Sequence, residues 1–214
     1  MSEKSAKPPR RTAGPRSRLQ VDERRSQLLE LGITLFGDRS YDEISVDEIA
    51  RAAGVSKGLL YHYFHGKRGY YVAAVRHAAD QLVLMTEEAG ARVEAEGPSV
   101  EGLTLGLRVF LEYVERHARA YATLLRGGLG TDAEVVAIIE DVRQRFVAGI
   151  VERLGVERPD PRLRTVLRGW IGFVEAVSLD WLDHRDLELA EVADLLAQTL
   201  ASGLLGLEAD GSAR

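Results

Sequence analysis

The stretch SVDEIARAAGVSKGLLYHYF, Ser45 to Phe64, constrains the fold of this chain more than any other. Ser45-Val46-Asp47-Glu48 has the form of a capping box, in which the serine hydroxyl accepts from the N3 amide while the N3 glutamate reaches back to the serine amide. That fixes the start of a short helix carrying Ile49 and Ala50. Gly54 ends it, because a glycine just past the last turn takes the left-handed conformation at little cost. Ser56 then caps a further helix, so the two are separated by about three or four residues. No strand fits in so short a space. The pattern predicts a helix-turn-helix, a unit whose second helix enters the major groove of DNA.

Helix signals fill the remainder, and the expected class is all-α. Asp22 reads as the N-cap of a first helix with Leu28, Leu29, Leu31, Leu35 and Phe36 on its apolar face, broken at Gly37 to Asp42. A long amphipathic helix is expected from Lys67 to about Arg92, with others near 99–117, 118–127, 133–154, 160–183 and 187–207. Residues 1–20, rich in Lys, Arg, Pro and Ser with little to bury, read as a disordered basic arm. The expected organisation is that arm, a helix-turn-helix domain over 21–68, a helical effector-binding and dimerisation domain over 69–207 and a flexible tail over 208–214.

Composition removes several classes. Cysteine is absent, which excludes disulfides, cysteine zinc sites and thiol nucleophiles. No apolar run approaches the ~18 residues of a membrane span, and the basic N-terminus has no apolar stretch behind it, so a cytoplasmic protein is expected. The net charge of −5 at first argues against nucleic acid. Its distribution argues the other way: residues 1–68 carry 13 Lys/Arg against 9 Asp/Glu, and the remainder carries 15 against 24.

On the helix after Gly54, Leu60 and Phe64 are one turn apart and can pack inward on Ile49. Lys57 and Tyr61 form a second such pair, flanked by Gly58 and His62, on a face free to meet DNA. Gly58 lets the helix start approach the duplex closely. Lys57 supplies charge, and Tyr61 and His62 can donate hydrogen bonds to phosphates or base edges. Lys67 and Arg68 open the next helix, where cations oppose the macrodipole at ~0.3–1 kcal/mol each. A phosphate held between them would turn that cost into a gain.

The segment Arg24 to Val75 closely resembles the N-terminal DNA-binding domain of TetR-family repressors. The resemblance rests on Leu35-Phe36, on S-V-D-E-I-A at 45–50 and on A-G-V-S-K-G-x-x-Y-x-Y-F at 53–64. It implies that residues 56–64, opening with Ser56, form the recognition segment. Lys57, Gly58, Leu59 and Tyr61 then sit on the recognition helix, with Leu59 reading bases, while Ser45, His62 and Lys67 touch backbone phosphates. Two departures stand out. His65-Gly66 replaces a frequent Pro-Ser, which predicts a more flexible loop, and Arg68 stands where the family often has an acidic residue.

The same resemblance implies a four-helix bundle between two copies of the last two helices. The residues favour it independently. Gly169, Gly172 and Ala176 form a small-residue stripe, and the last helix carries Val192, Leu196, Leu200, Gly203 and Leu204 on an apolar surface too wide for one partner. A monomeric core with glycines at tight crossings is the alternative. Inward residues of the intervening helices, Leu82, Met85, Phe110, Tyr113, Phe146, Trp170, Phe173 and Val174, fit an apolar effector pocket and a solid core alike. The pocket is therefore implied mainly by the family, as is release of DNA on ligand binding. Arg108, Arg119 or Arg126 would receive the acid of a lipophilic ligand carrying one.

An α-helical enzyme is the reading from another class. Gly128 to Ala133 satisfies G-x-G-x-x-A but follows a helix rather than a strand. His62 and His65 lack a carboxylate to complete a metal site, and no serine sits in a nucleophile elbow. No cofactor, metal or catalytic residue is expected. The expected function is a ligand-responsive transcriptional regulator, a homodimeric repressor on a palindromic double-stranded operator, with an effector-independent DNA-binding repressor as the alternative.

Overall fold

The computed structural model describes residues 15–92, 99–126 and 132–212, with side chains over 23–92, 99–126 and 132–207. Among the described residues there are nine helices and no strand: α1 (Pro15–Asp38), α2 (Val46–Ala52), α3 (Lys57–Phe64), α4 (Lys67–Ala91), α5 (Val100–Arg116), α6 (Ala118–Arg126), α7 (Ala133–Arg153), α8 (Pro161–His184) and α9 (Leu189–Ser212).

The capping chemistry forms as the residues dictate. Glu48 N donates to Ser45 Oγ at 3.2 Å, and Ser45 N donates to Glu48 Oε2 at 2.9 Å. Gly54 adopts φ +62° after α2, and Ser56 Oγ accepts from Leu59 N at 3.2 Å to open α3. The apolar faces of these two helices close on α1 in a small core of Leu28, Leu29, Ile44, Ile49, Leu60, Phe64 and Tyr70. Tyr70 belongs to α4, yet it is fully buried here, and its hydroxyl donates to the Leu28 carbonyl. Burial pushes its phenol well above the ordinary value. Gly32 makes this crossing possible: a Cβ there would lie 2.8 Å from Ala74 Cβ and 3.1 Å from the Tyr70 ring.

The second core joins α5, α8 and α9, with Leu82 of α4 at its edge. Its two tryptophans are anchored at their polar ends. Trp170 Nε1 donates to the Leu196 carbonyl at 3.0 Å, and Trp181 Nε1 to the Leu187 carbonyl at 2.9 Å, so each indole fills core without a stranded donor. Helix α4 packs on α1 and α3 at one end and on α5 and α7 along its length, which makes it the shared wall of both cores.

Two boundaries differ from the sequence reading. Helix α1 starts at Pro15, so Asp22 lies within it and is not its N-cap. Proline suits a first helical turn, and the Arg, Leu and Gln that follow are good helix formers, so a polar segment continues the helix outward. At the other end α9 runs to Ser212, through residues assigned to the tail. The rest of the proposed arm (1–14), the last two residues and the Gly128–Thr131 part of the G-x-G-x-x-A match lie outside the described residues. Asp132 and Ala133 are the N-cap and first residue of α7.

Candidate functional site

The outward face of α3 is open. Tyr61 is 51% exposed, Lys57, Gly58 and His62 are exposed, and a Cβ on Gly58 would meet only Ser56 Oγ at 3.9 Å. Leu59 is half-buried at the edge of this face. Lys57 Nζ is ion-paired with Asp47 of α2, both side chains remaining more than half exposed. Ser45 is exposed, but its hydroxyl donates to Glu48 Oε2 at 3.0 Å and accepts from the Glu48 amide, so the cap occupies it. Those bonds, the Ser45 amide first and Arg39 next, hold the Glu48 carboxyl down to about 2.

The turn between α3 and α4 departs from ordinary backbone. His65 has φ +56° and Gly66 φ +115°, and the Tyr61 ring lies 3.5 Å from where a Gly66 Cβ would be. The φ at Gly66 is one that a residue with a Cβ rarely adopts, and the Tyr61 ring rests against it at ordinary contact distance. The chain then enters α4 with Lys67 Nζ 4.1 Å above the Tyr41 ring, a cation–π seat at the rim of the open face.

Arg68 corrects the sequence expectation. It does not stand free for a phosphate beside Lys67. Its Nε and Nη2 donate to the two oxygens of Asp132 at 2.7 and 2.8 Å, and its Nη1 donates to Glu134 at 2.8 Å. The hydrogen bond from Arg68 holds the Asp132 carboxyl below its ordinary value. Asp132 also caps α7, accepting from Glu134 N at 3.0 Å, so one carboxylate both starts α7 and grips the start of α4. No local sequence signal marks a pair 64 positions apart.

Beneath this junction a cavity of about 290 Å³ opens between α1, α4, α5, α6, α7 and α8. Leu82, Phe110, Tyr113, Phe146, Trp170 and Val174 of the sequence-predicted set line it. Met85 and Phe173 do not. The lining face of α4 passes from Leu82 to Thr86, leaving Met85 to one side. Helix α8 turns Trp170, Ile171 and Val174 inward, so Phe173 points out at 38% exposure. On α4 the wall runs from Tyr71 to Glu87, about 24 Å at 1.5 Å per residue. Small residues, Ala74, Ala78, Gly106 and Gly149 among them, leave the space open. One end abuts Phe36, Tyr41 and Tyr71, an edge-on aromatic cluster belonging to the helix-turn-helix half.

The three arginines considered for an acidic ligand are placed otherwise than expected. Arg108 lies outside the cavity near Asp194, and Arg126 is bonded to Asp183 on α8. Arg119 does line the cavity, but its guanidinium donates to the Asp38 carbonyl at the end of α1.

The helices assigned to a partner copy need a second correction. Val192, Leu196 and Leu200 are fully buried inside the subunit's own core, and Leu204 packs against it. Gly203 faces Val166 of α8, 3.5 Å from where its Cβ would be. The width of the α9 stripe came from residues on both sides of that helix, and these five serve the inner side. Gly169, Gly172 and Ala176 do face outward beside Phe173, and a Cβ on either glycine would meet nothing within 4 Å. The outward apolar residues of α9 are Leu195 and Leu205, 46% and 65% exposed.

Among the described residues no group of His, Asp and Glu is arranged to hold a metal ion, and no helix is long and apolar enough to cross a membrane. Residues 28–74 match the family described as bacterial regulatory proteins, tetR family, and residues 99–203 match the tetracyclin repressor-like C-terminal domain. A TetR-family transcriptional regulator of known structure from Streptomyces coelicolor is 36% identical, with a TM-score of 0.76 over 86% of this chain and 81% of that one. A TetR-like regulator from Rhodococcus sp. RHA1 is 28% identical, with a TM-score of 0.62 over 86% of this chain and 96% of its own. The HTH-type transcriptional activator FasR of Mycolicibacterium smegmatis is 32% identical over 124 residues, 58% of this chain, which spans only 55% of that protein. Here the capped helix-turn-helix matches the N-terminal model and the helical half joined to it through α4 matches the C-terminal one, and the chain belongs to the TetR family of transcriptional regulators.

Proposed function

We propose that the chain is a cytoplasmic homodimeric repressor that binds a palindromic operator and is released by a small lipophilic effector in the cavity. The observation that carries this reading is the position of the cavity, whose wall is shared between α4 and the aromatic end of the reader. A ligand pressing on Tyr71 or Phe36 acts directly on residues that set the angle of α4 against α1. Each reader would place Ser56 to Phe64 in a major groove, with Lys57, Gly58, Leu59 and Tyr61 toward the bases and His62 and Lys67 toward the backbone, while Ser45 keeps its donors on Glu48.

Dimers of such readers engage two half-sites one helical turn or a multiple apart, so a small change in reader spacing removes register. The effector shifts the population only so far as it prefers the released state. The outward face of α8 and α9, with Gly169, Gly172, Ala176, Phe173, Leu195 and Leu205, would meet its copy in a four-helix bundle.

Fluorescence anisotropy on the DNA flanking the protein's own gene, against a scrambled duplex and over a salt series, tests the reading. Preference for the native fragment at two chains per site supports it. Equal, salt-erased binding to both duplexes removes it. Transcription that rises when the protein is added would instead assign an activator, as the FasR relative is named.

A further inference from the structure

The chemistry of the cavity wall selects among lipophilic ligands, an inference that rests on the cavity being the effector site. Among the described residues every guanidinium on the wall is already engaged within the protein. Arg143 holds both oxygens of Glu175, each at 2.8 Å, and Arg39 holds Glu48 at 3.1 Å and the Glu43 carbonyl at 2.6 Å. Arg119 donates to the Asp38 carbonyl, and Arg153 to the Glu87 carbonyl at 2.9 Å. Burial and the neighbouring Arg116 lower the His117 pKa, favouring the neutral ring. A carboxylate entering this space would give up its water and meet only guanidiniums already bonded within the protein, Arg39 and Arg143 to carboxylates and Arg119 and Arg153 to carbonyls.

Two neutral hydroxyls behave oppositely. Tyr121 and Thr86 line the cavity, and each hydroxyl is buried with no hydrogen-bond partner. Ser178 lies near Tyr121 but outside bonding geometry, its own proton going to the Val174 carbonyl at 2.7 Å. A buried phenol without an acceptor is costly, and a ligand acceptor would relieve it. The α4 wall of the cavity, about 24 Å from Tyr71 to Glu87, is long enough for an extended alkyl chain.

We propose that the cavity takes a neutral acyl derivative, an ester-type carbonyl on a straight alkyl chain, whose carbonyl accepts from the Tyr121 hydroxyl, in preference to the free acid. The alkyl chain lies along Ala74, Ala78 and Leu82 of α4, and the carbonyl sits beside the Arg143–Glu175 pair, whose charges already cancel.

The test uses the full chain and three probes of matched length: methyl dodecanoate, sodium dodecanoate and dodecane. Binding at neutral pH is followed by the fluorescence of Trp170, which lines the cavity. The methyl ester is expected to bind about tenfold more tightly than the acid. Tyr121→Phe is expected to lose about tenfold for the ester, one hydrogen bond's worth, while dodecane binding is unchanged and shows the cavity intact. The inference is overturned if the acid binds as tightly as the ester, if Tyr121→Phe binds the ester like the parent, or if none of the three binds. Ester binding through Tyr121 that leaves operator affinity untouched would uphold the inference and remove the regulatory role of the cavity.

Discussion

Arg68 and Asp132 form a two-pronged bond, 2.7 and 2.8 Å, between the first turn of α4 and the N-cap of α7. Few contacts link the reader to the regulatory half so directly, because Asp132 is at once the residue that starts α7 and the anchor for the helix that carries the reader. A second strap, Arg119 to the Asp38 carbonyl, ties α6 to the end of α1 on the other side of the cavity. The reader is thus held at several points, Glu30 of α1 also bonding His77 of α4 at 2.8 Å.

Cutting the first strap is expected to loosen the orientation of the reader rather than unfold it. Arg68→Ala should weaken operator binding about three- to tenfold, because a smaller fraction of molecules then holds the binding-competent geometry. Asp132→Asn, which keeps a capping oxygen for α7 but removes the charge, should give a similar loss, and the double variant should be no worse than either alone. Anisotropy on the operator measures all three, and additive losses would show that the two residues act separately.

Base reading and phosphate contact separate by their salt dependence. Tyr61→Ala should remove preference for the operator over scrambled DNA while the melting temperature stays close to the parent's, since Tyr61 is half exposed and lies outside the reader's core. Lys67→Ala should weaken binding to both duplexes alike and lower the salt slope by about one. A loss from Lys67→Ala confined to one sequence would contradict its role at the backbone.

The outward leucines of α9 can be tested apart from the core ones. Leu195→Glu with Leu205→Glu should give a folded monomer in sedimentation, and operator affinity should fall by about 10²- to 10⁴-fold as the two half-sites lose their linkage. A dimer that survives both charges would place the interface elsewhere.

Acid should expose the cap of α2. The Glu48 carboxyl lies at about 2 in the folded chain, below its ordinary 4.5, chiefly through the Ser45 amide. A depressed carboxyl contributes fully above about pH 4.5 and loses that contribution as pH falls toward 2. Glu48→Gln removes the titrating group, so its melting temperature should fall less steeply than the parent's across that window. Parallel curves would mean that the cap does not titrate with folding.

Much of this architecture is legible along the chain because its causes are local. The caps at Ser45 and Ser56, the glycine at 54 and the proline after Asp160 act within a turn or two, so helix ends follow from neighbours in sequence. The open face of α3 is readable for the same reason. Pairings across the fold are not. Arg68 looks like a cation beside Lys67 until α7 is seen to bring Asp132 to it. Val192, Leu196 and Leu200 look like interface residues because a leucine stripe does not say which side its own subunit covers. Tyr121 gave no signal at all, since an unsatisfied hydroxyl is defined by the absence of neighbours that only the packed structure reveals.

Tyr70 has a consequence for anyone cutting or recombining this chain. It sits past residue 68, on the helix that serves the regulatory half, yet its ring fills the centre of the reader's core and its hydroxyl bonds the Leu28 carbonyl. A fragment ending at the expected boundary would lose the plug of its own interior. Grafting this reader onto another sensor would require carrying the opening turns of α4 through Ala74, the residue that meets Gly32, and the donor's seam would have to fall beyond them.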